Sequence, residues 1–158
     1  MPWVPHITVA AVVQKDDRFL LVEELVGERK VFNQPAGHLE AGESLVEAVI
    51  RETLEETAWH FEPHSLSGIY QWTHPEKQTT FIRFAFAGEV TRHLPDRELD
   101  TGIVRAVWLD KDQLLARSGQ LRSPMVLRCI GDYLSGQRFP LDIVSQLPLN
   151  IENCDQAS

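Results

Sequence analysis

The sequence predicts an α+β fold in which a mixed sheet is sandwiched between helices, and three observations carry that prediction. Runs rich in Val, Ile, Leu and Phe at residues 6–13 and 19–24 read as strands, and the polar Lys15-Asp16-Asp17-Arg18 between them has the length of a hairpin connection. From Ser44 to about Thr57 the pattern turns helical, with Ser44 as N-cap and Glu47 completing a capping box. Further strand-like stretches at 66–72, 79–89 and 104–109 precede and separate two shorter helices. Strands placed before and between helices over short connections fit a sandwich, not the regular strand–helix alternation of a doubly wound sheet.

The minor elements follow the same logic. A short segment at 31–33 is a further strand, and Asp110 with Gln113 starts a second helix. Ser123-Pro124 opens a third helix with Pro at its first helical position, and Ser135-Gly136 closes it.

Length and composition bound the class. A chain of 158 residues with 43% hydrophobic and 24% charged residues is expected to be one globular domain over 1–158, with an ordered core at about 5–145 and a tail after about 146. The apolar run beginning at Trp3 is interrupted by Pro5 and His6 and closed by Lys15-Asp16-Asp17, well short of the ~20 residues of a membrane span, and it lacks the layout of a secretory signal. Cys129 and Cys154 form neither a disulfide framework nor a zinc ligand set, so a reduced, cytoplasmic setting is expected, with Cys129 packed in the third helix. With 15 basic and 23 acidic residues the net charge is −8, which argues against a surface for polymeric nucleic acid. A small polyphosphate ligand would need a few local cations or a metal ion to offset that charge.

The helix at 44–57 carries the chemistry. At ~100° per residue, Val46, Ile50, Thr53, Leu54 and Thr57 share a face that we assign to the core. Glu52, Glu55 and Glu56 fall on another stripe, spaced so that their carboxylates converge. An exposed acidic face normally intersperses Lys or Arg, yet between Ser44 and Trp59 the only cation is Arg51. A hard divalent cation taking carboxylate and phosphate oxygens supplies the missing charge.

The segment from Gly37 to Trp59 resembles the signature box of the Nudix family: Gly37, Glu43, Arg51, Glu52, Glu55 and Glu56 fill its first-glycine and charged positions. Chance would produce that six-position match with a probability on the order of 10⁻⁵, so the resemblance is specific. Thr53 stands where the pattern has an aliphatic residue, which is expected to loosen helix packing. Ala58 stands where it has the glycine that ends the helix, and a left-handed Ala there would be strained by about 1–2 kcal/mol. The resemblance implies an α/β/α sandwich with a mixed central sheet and a loop-helix-loop metal site, and hydrolysis of a diphosphate linkage with Mg²⁺ as cofactor, Mn²⁺ being an alternative. It implies Glu52, Glu55 and Glu56 as metal ligands, the Gly37 carbonyl as a further oxygen, and Glu43 with Arg51 as an orienting pair. The proton acceptor is Glu52 or Glu56, or else Glu98 or Asp100 from a later loop.

The resemblance continues outside the box in PHITVA at 5–10, NQPAGHLEA at 33–41, QW at 71–72, FIRF at 81–84, LRSP at 121–124 and SGQRFPL at 135–141. These segments are similar to a bacterial phosphatase branch of the family that acts on nucleoside tri- and diphosphates and on thiamin-related pyrophosphates, and that leans monomeric. Pro35-Ala36-Gly37 also occurs in ADP-ribose pyrophosphatases, which keeps a nucleoside-diphosphate-X substrate open. So does a nucleotide-sensing module without turnover, although such modules usually show an eroded box. Candidate phosphate contacts are Arg83, Arg122 and Arg138, each equally readable as a surface residue. Trp72, Tyr70, Phe32 and Trp3 are candidates for stacking on a ring, or else core aromatics. His38 and His74 are placed near the site for hydrogen bonding to phosphate or for loop structure.

Overall fold

The computed structural model describes residues 2–148, so Cys154 and nearly all of the expected tail lie outside the described residues. The strands form one mixed eight-stranded sheet that branches at β1 (His6–Lys15). The first part of β1 lies between antiparallel β4 (Ala36–His38) and parallel β6 (Thr80–His93). Beyond β6 come β5 (Trp59–Thr73) and the short β8 (Phe139–Pro140). The last residues of β1 turn into β2 (Arg18–Val26), which is flanked by β3 (Arg29–Asn33) and β7 (Ile103–Asp110). The turn uses Asp16 and Asp17 at φ +50° and +63°, the geometry whose twist matches the strands of a tight hairpin.

Side-chain alternation along β1 builds two cores. Val9, Ala11 and Val13 pack with Phe61, Leu66 and Phe86 under α1 (Leu45–Thr57). Val12 packs on the opposite face with Phe19, Leu21 and Ala85, beneath α2 (Lys111–Ala116) and α3 (Met125–Leu134), which contribute Leu114, Val126 and Ile130. Full burial of each large apolar side chain is worth roughly 1.5–3 kcal/mol, so both helical layers are held by the sheet and not by their own propensity. This is the expected α/β/α sandwich with a mixed sheet.

Both predicted capping boxes form. The Ser44 hydroxyl accepts from the Glu47 N–H at 3.0 Å and the Ser44 N–H donates back to Glu47 at 3.4 Å. Asp110 and Gln113 repeat the arrangement at 2.8 and 2.9 Å. Ala58 ends α1 in the left-handed conformation at φ 60°, its N–H donating to Leu54 O at 2.9 Å, so the helix stops on schedule without glycine. Thr53 does not loosen the packing: it is fully buried and its hydroxyl donates to Val49 O at 2.7 Å, satisfying the one polar atom that distinguishes it from an aliphatic residue.

Four expectations are corrected. The buried stripe of α1 is Ala48, Val49, Glu52, Thr53, Glu56 and Thr57, whereas Val46, Ile50 and Leu54 are only half-buried. The helix is rotated so that two acidic residues, not those aliphatic ones, face inward. β5 begins at Trp59 instead of 66, because Pro63 is accommodated opposite Gly88 where the register shifts at a bulge. β4 and β8, with few residues and no alternation to betray them, are additional strands. Pro124 occupies the cap position of α3 in helical geometry, one residue earlier than expected, and Ser123 Oγ accepts from the Met125 N–H at 3.2 Å.

The left-handed Ala58 yields a paired prediction. Ala48→Gly, in ordinary helical backbone, should cost about 1–2 kcal/mol and lower Tm by roughly 2–8 °C. Ala58→Gly should cost far less, because relief of left-handed strain offsets the lost buried methyl. Thermal unfolding of the two variants checks this, and equal losses would show that Ala58 carries no strain.

Candidate active site

The loop from β4 into α1 and the inward face of that helix are bound together by one guanidinium. Arg51 Nε and Nη2 grip Glu43 at 3.0 and 2.7 Å, and Nη2 also donates to the His38 carbonyl at 3.0 Å. Nη1 reaches Glu52 at 2.8 Å and Glu55 at 3.2 Å. Glu43 in turn accepts the Glu40 N–H at 2.8 Å, which closes the loop on itself. The Arg51 guanidinium holds the Glu43 carboxyl below the usual range, and Glu43 and Glu52 in turn raise the guanidinium further above its own.

Positive charge then runs out. Glu52, Glu55 and Asp100 bring one oxygen each within 4.8 Å of one another, so the later loop does deliver a carboxylate to the helix. The Asp100 N–H donates to Glu55 O at 3.0 Å, which anchors that loop to α1. Glu98 is exposed and is not part of this group. Glu56 is buried and accepts the Ala36 N–H at 2.8 Å. Its carboxyl is pushed up to about 9, chiefly by burial and further by the charges of Glu24, Glu52 and Asp100, against the opposing pull of the Ala36 hydrogen bond. Burial also raises Glu52, more than Arg51 lowers it.

These residues fit a divalent cation. The donors are all oxygen, they converge from a helix and a loop, and the backbone leaves room for them: a Cβ at Gly37 would overlap the Glu52 carboxylate. Gly37 is therefore required for close approach, not for a special backbone angle.

Beside this stripe, across Ala36 and Gly37, lies a cavity of about 380 Å³. Of the residues singled out from sequence, Arg83, Arg122, Trp72, His38 and His74 line it. Arg138 does not; its guanidinium lies 3.8 Å over the Tyr133 ring and donates to main-chain carbonyls. Phe32 belongs to the core, Tyr70 donates to Asp132 at 2.8 Å, and Trp3 is 70% exposed, so Trp72 is the aromatic candidate that the fold brings to the cavity. His38 meets His6 at 2.9 Å, and burial, followed by the charges of His6 and Arg122, lowers its pKa. His74 Nδ1 accepts the N–H groups of Glu76 and Lys77 at 3.2 and 3.3 Å, which orders its turn. Arg122 is shared with Glu24 at 3.0 Å.

Sequence reasoning missed Arg29, Lys77, Phe81, Asn33 and Glu24, which also line the cavity. Phe81 lies two residues from Arg83 on one strand, a spacing that puts both on one face and could have revealed it. Arg29 opens β3 just after one turn, Lys77 sits on another, and neither carries a local signal.

The raised Glu56 carboxyl sets a pH dependence. Its folded pKa of about 9 exceeds the ordinary 4.5, so the metal-free fold is stabilised by this proton below about pH 4.5 and loses that stabilisation as pH rises through about 9. In chelator, Tm should fall between pH 5 and pH 9 by more in the wild type than in Glu56→Gln. Superimposable melting profiles for the two would refute the assignment.

The chain matches the NUDIX domain over residues 4–129. It is 44% identical to the phosphatase NudJ of Escherichia coli (strain K12) over 89% of its length and 90% of that protein, and equally so to NudJ of Shigella boydii serotype 4. A solved NUDIX hydrolase from Nitrosomonas europaea is 51% identical, superimposes with a TM-score of 0.90, and is matched over 91% of this chain and 98% of its own. Domain match, sequence identity and superposition all agree with the geometry of the acidic helix: the chain belongs to the Nudix hydrolases, enzymes that cleave phosphorus anhydrides.

Proposed function

We propose that this Nudix hydrolase is a Mg²⁺-dependent phosphatase of the kind its NudJ relatives are named for. Its substrates in this reading are nucleoside tri- and diphosphates and thiamin-related pyrophosphates such as hydroxymethylpyrimidine pyrophosphate and thiamin pyrophosphate. The observation that carries it is the juxtaposition, across Ala36 and Gly37, of a carboxylate stripe short of positive charge and a cavity lined by Arg29, Lys77, Arg83 and Arg122. One side suits a cation and the other a polyanion.

Glu52, Glu55 and Glu56 would hold the ion, with the Gly37 carbonyl beside them; Mn²⁺ suits the same oxygen set. When bound, the ion supplies Lewis acidity and a water of lowered pKa. Arg51 and Glu43 keep the carboxylates aimed, as hydrogen-bonded partners of metal ligands do elsewhere. Arg29, Lys77 and Arg122, the exposed basic residues of the cavity lining, would neutralise and orient the phosphates. Glu52, Glu56 or Asp100 would take the proton of the attacking water in this reading; the approach of an Asp100 oxygen to Glu52 and Glu55 supports Asp100 over Glu98 for the loop-borne role.

Glu56→Gln should fold and lose roughly 100-fold or more of Mg²⁺-dependent phosphate release. Gly37→Ala should do the same by displacing Glu52. The decisive measurement is a screen with product identification across nucleoside triphosphates and diphosphates, ADP-ribose and thiamin-type pyrophosphates. Wild-type turnover in Glu56→Gln would sink the metal assignment. Silence across the panel together with tight binding of one compound would indicate a sensor, and selective cleavage of ADP-ribose a nucleoside-diphosphate-X hydrolase.

A further inference from the structure

The floor of the cavity contains a buried guanidinium paired only with neutral groups. Arg83 is 4% exposed; Nη1 donates to Gln34 Oε1 at 2.9 Å, Nη2 donates to Asn33 Oδ1 at 3.1 Å, and Nε has no partner among the described residues. A buried charge so held is costly until a ligand brings it lone pairs.

The amides around it can point only one way. A guanidinium donates and never accepts, so the oxygens of Asn33 and Gln34 must face it. Gln34 Nε2 is then committed to Val126 O at 2.9 Å. Asn33 Nδ2 faces away from Arg83 and has no partner among the described residues. The free groups that Asn33 and Arg83 offer at this end of the cavity, Nδ2 and the remaining Nη hydrogens, are therefore donors, and the neighbouring Thr8 hydroxyl gives its own proton to Ile82 O at 3.3 Å.

A stacked aromatic pair adjoins them. Trp72 and Phe81 are paired across β5 and β6, with ring centroids 6.1 Å apart and planes within 19°, and are flanked by His74 and His6. Phe81 and Arg83 share one face of β6, so a heteroaromatic ring seated against this pair would have its edge toward the donors.

We propose that this end of the cavity is a base-reading subsite that accepts an oxo-bearing heteroaromatic ring, its carbonyl oxygen taking hydrogen bonds from Arg83 and Asn33, in preference to the same ring bearing an amino group. The proposal rests on the phosphohydrolase reading only in supposing that the ligand is a nucleotide. An amino group here would set donor against donor and leave the buried N–H groups unpaired, and sites built to hydrogen-bond a substrate discriminate strongly on that basis.

The test uses matched pairs that exchange oxo for amino: inosine against adenosine triphosphate, and uridine against cytidine triphosphate. In wild-type protein with Mg²⁺, kcat/KM for phosphate release should favour the oxo member of each pair by about tenfold or more, expressed mainly in KM. Asn33→Asp keeps Arg83 paired and replaces a donor with an acceptor, so it should erase or invert that ratio; Arg83→Gln should erase it. A wild-type ratio near one, or an unchanged ratio in folded Asn33→Asp, overturns the subsite. If no triphosphate is cleaved, the nucleoside triphosphatase part of the proposed function fails on its own. Binding of the corresponding monophosphates, followed by tryptophan fluorescence, then decides the subsite: an oxo preference of about tenfold or more sustains it and equal affinities overturn it.

Discussion

The contact between Arg51 and the carboxylates of Glu43, Glu52 and Glu55 ties the loop after β4 to the middle of α1, and the rest of the site depends on it. One guanidinium orders several anions but cannot neutralise them. Glu56, further along the helix, is left with a backbone N–H for a partner and responds by retaining its proton. The fold thus holds these carboxylates in place while leaving their charge unsatisfied, a condition that a hard cation would relieve.

That arrangement exacts something from the architecture. Glu52 and Glu56 lie on the inward stripe of α1, where an ordinary amphipathic helix would place aliphatic residues. The helix is retained because Ala48, Val49, Thr53 and Thr57 pack on the same stripe and the hydroxyls of both threonines are satisfied by main-chain carbonyls. Packing and ligand presentation share one face, and short side chains make the sharing feasible.

This sharing explains what was legible in the sequence. The acidic box, both capping boxes and the tight turn at Asp16-Asp17 are local patterns, and they were readable as such. The rotation of α1 was not, because a helical wheel assumes that carboxylates avoid the interior. Pro63 concealed the first part of β5, since a bulge that accommodates proline is a property of the strand opposite. In the cavity, Arg83, Arg122, Trp72, His38 and His74 were legible as candidates, whereas Arg29 and Lys77 come from the start of β3 and a turn far from it in the chain. Asp100 was identified among loop acids, but what separates it from Glu98 is tertiary: its N–H bonds to Glu55 O and its carboxylate converges with Glu52 and Glu55.

The strand β1 touches both halves of the site at once: Val9 is paired with Gly37 on one side and Thr8 with Arg83 on the other. Because successive side chains alternate between faces, a single-residue insertion in this strand would invert the apolar pattern of both cores and part the loop after β4 from the cavity floor. The turns around 27–28 and 74–79 have no such double duty. An insertion there would lengthen the cavity rim and leave the pairing of β1 with β4 and β6 intact.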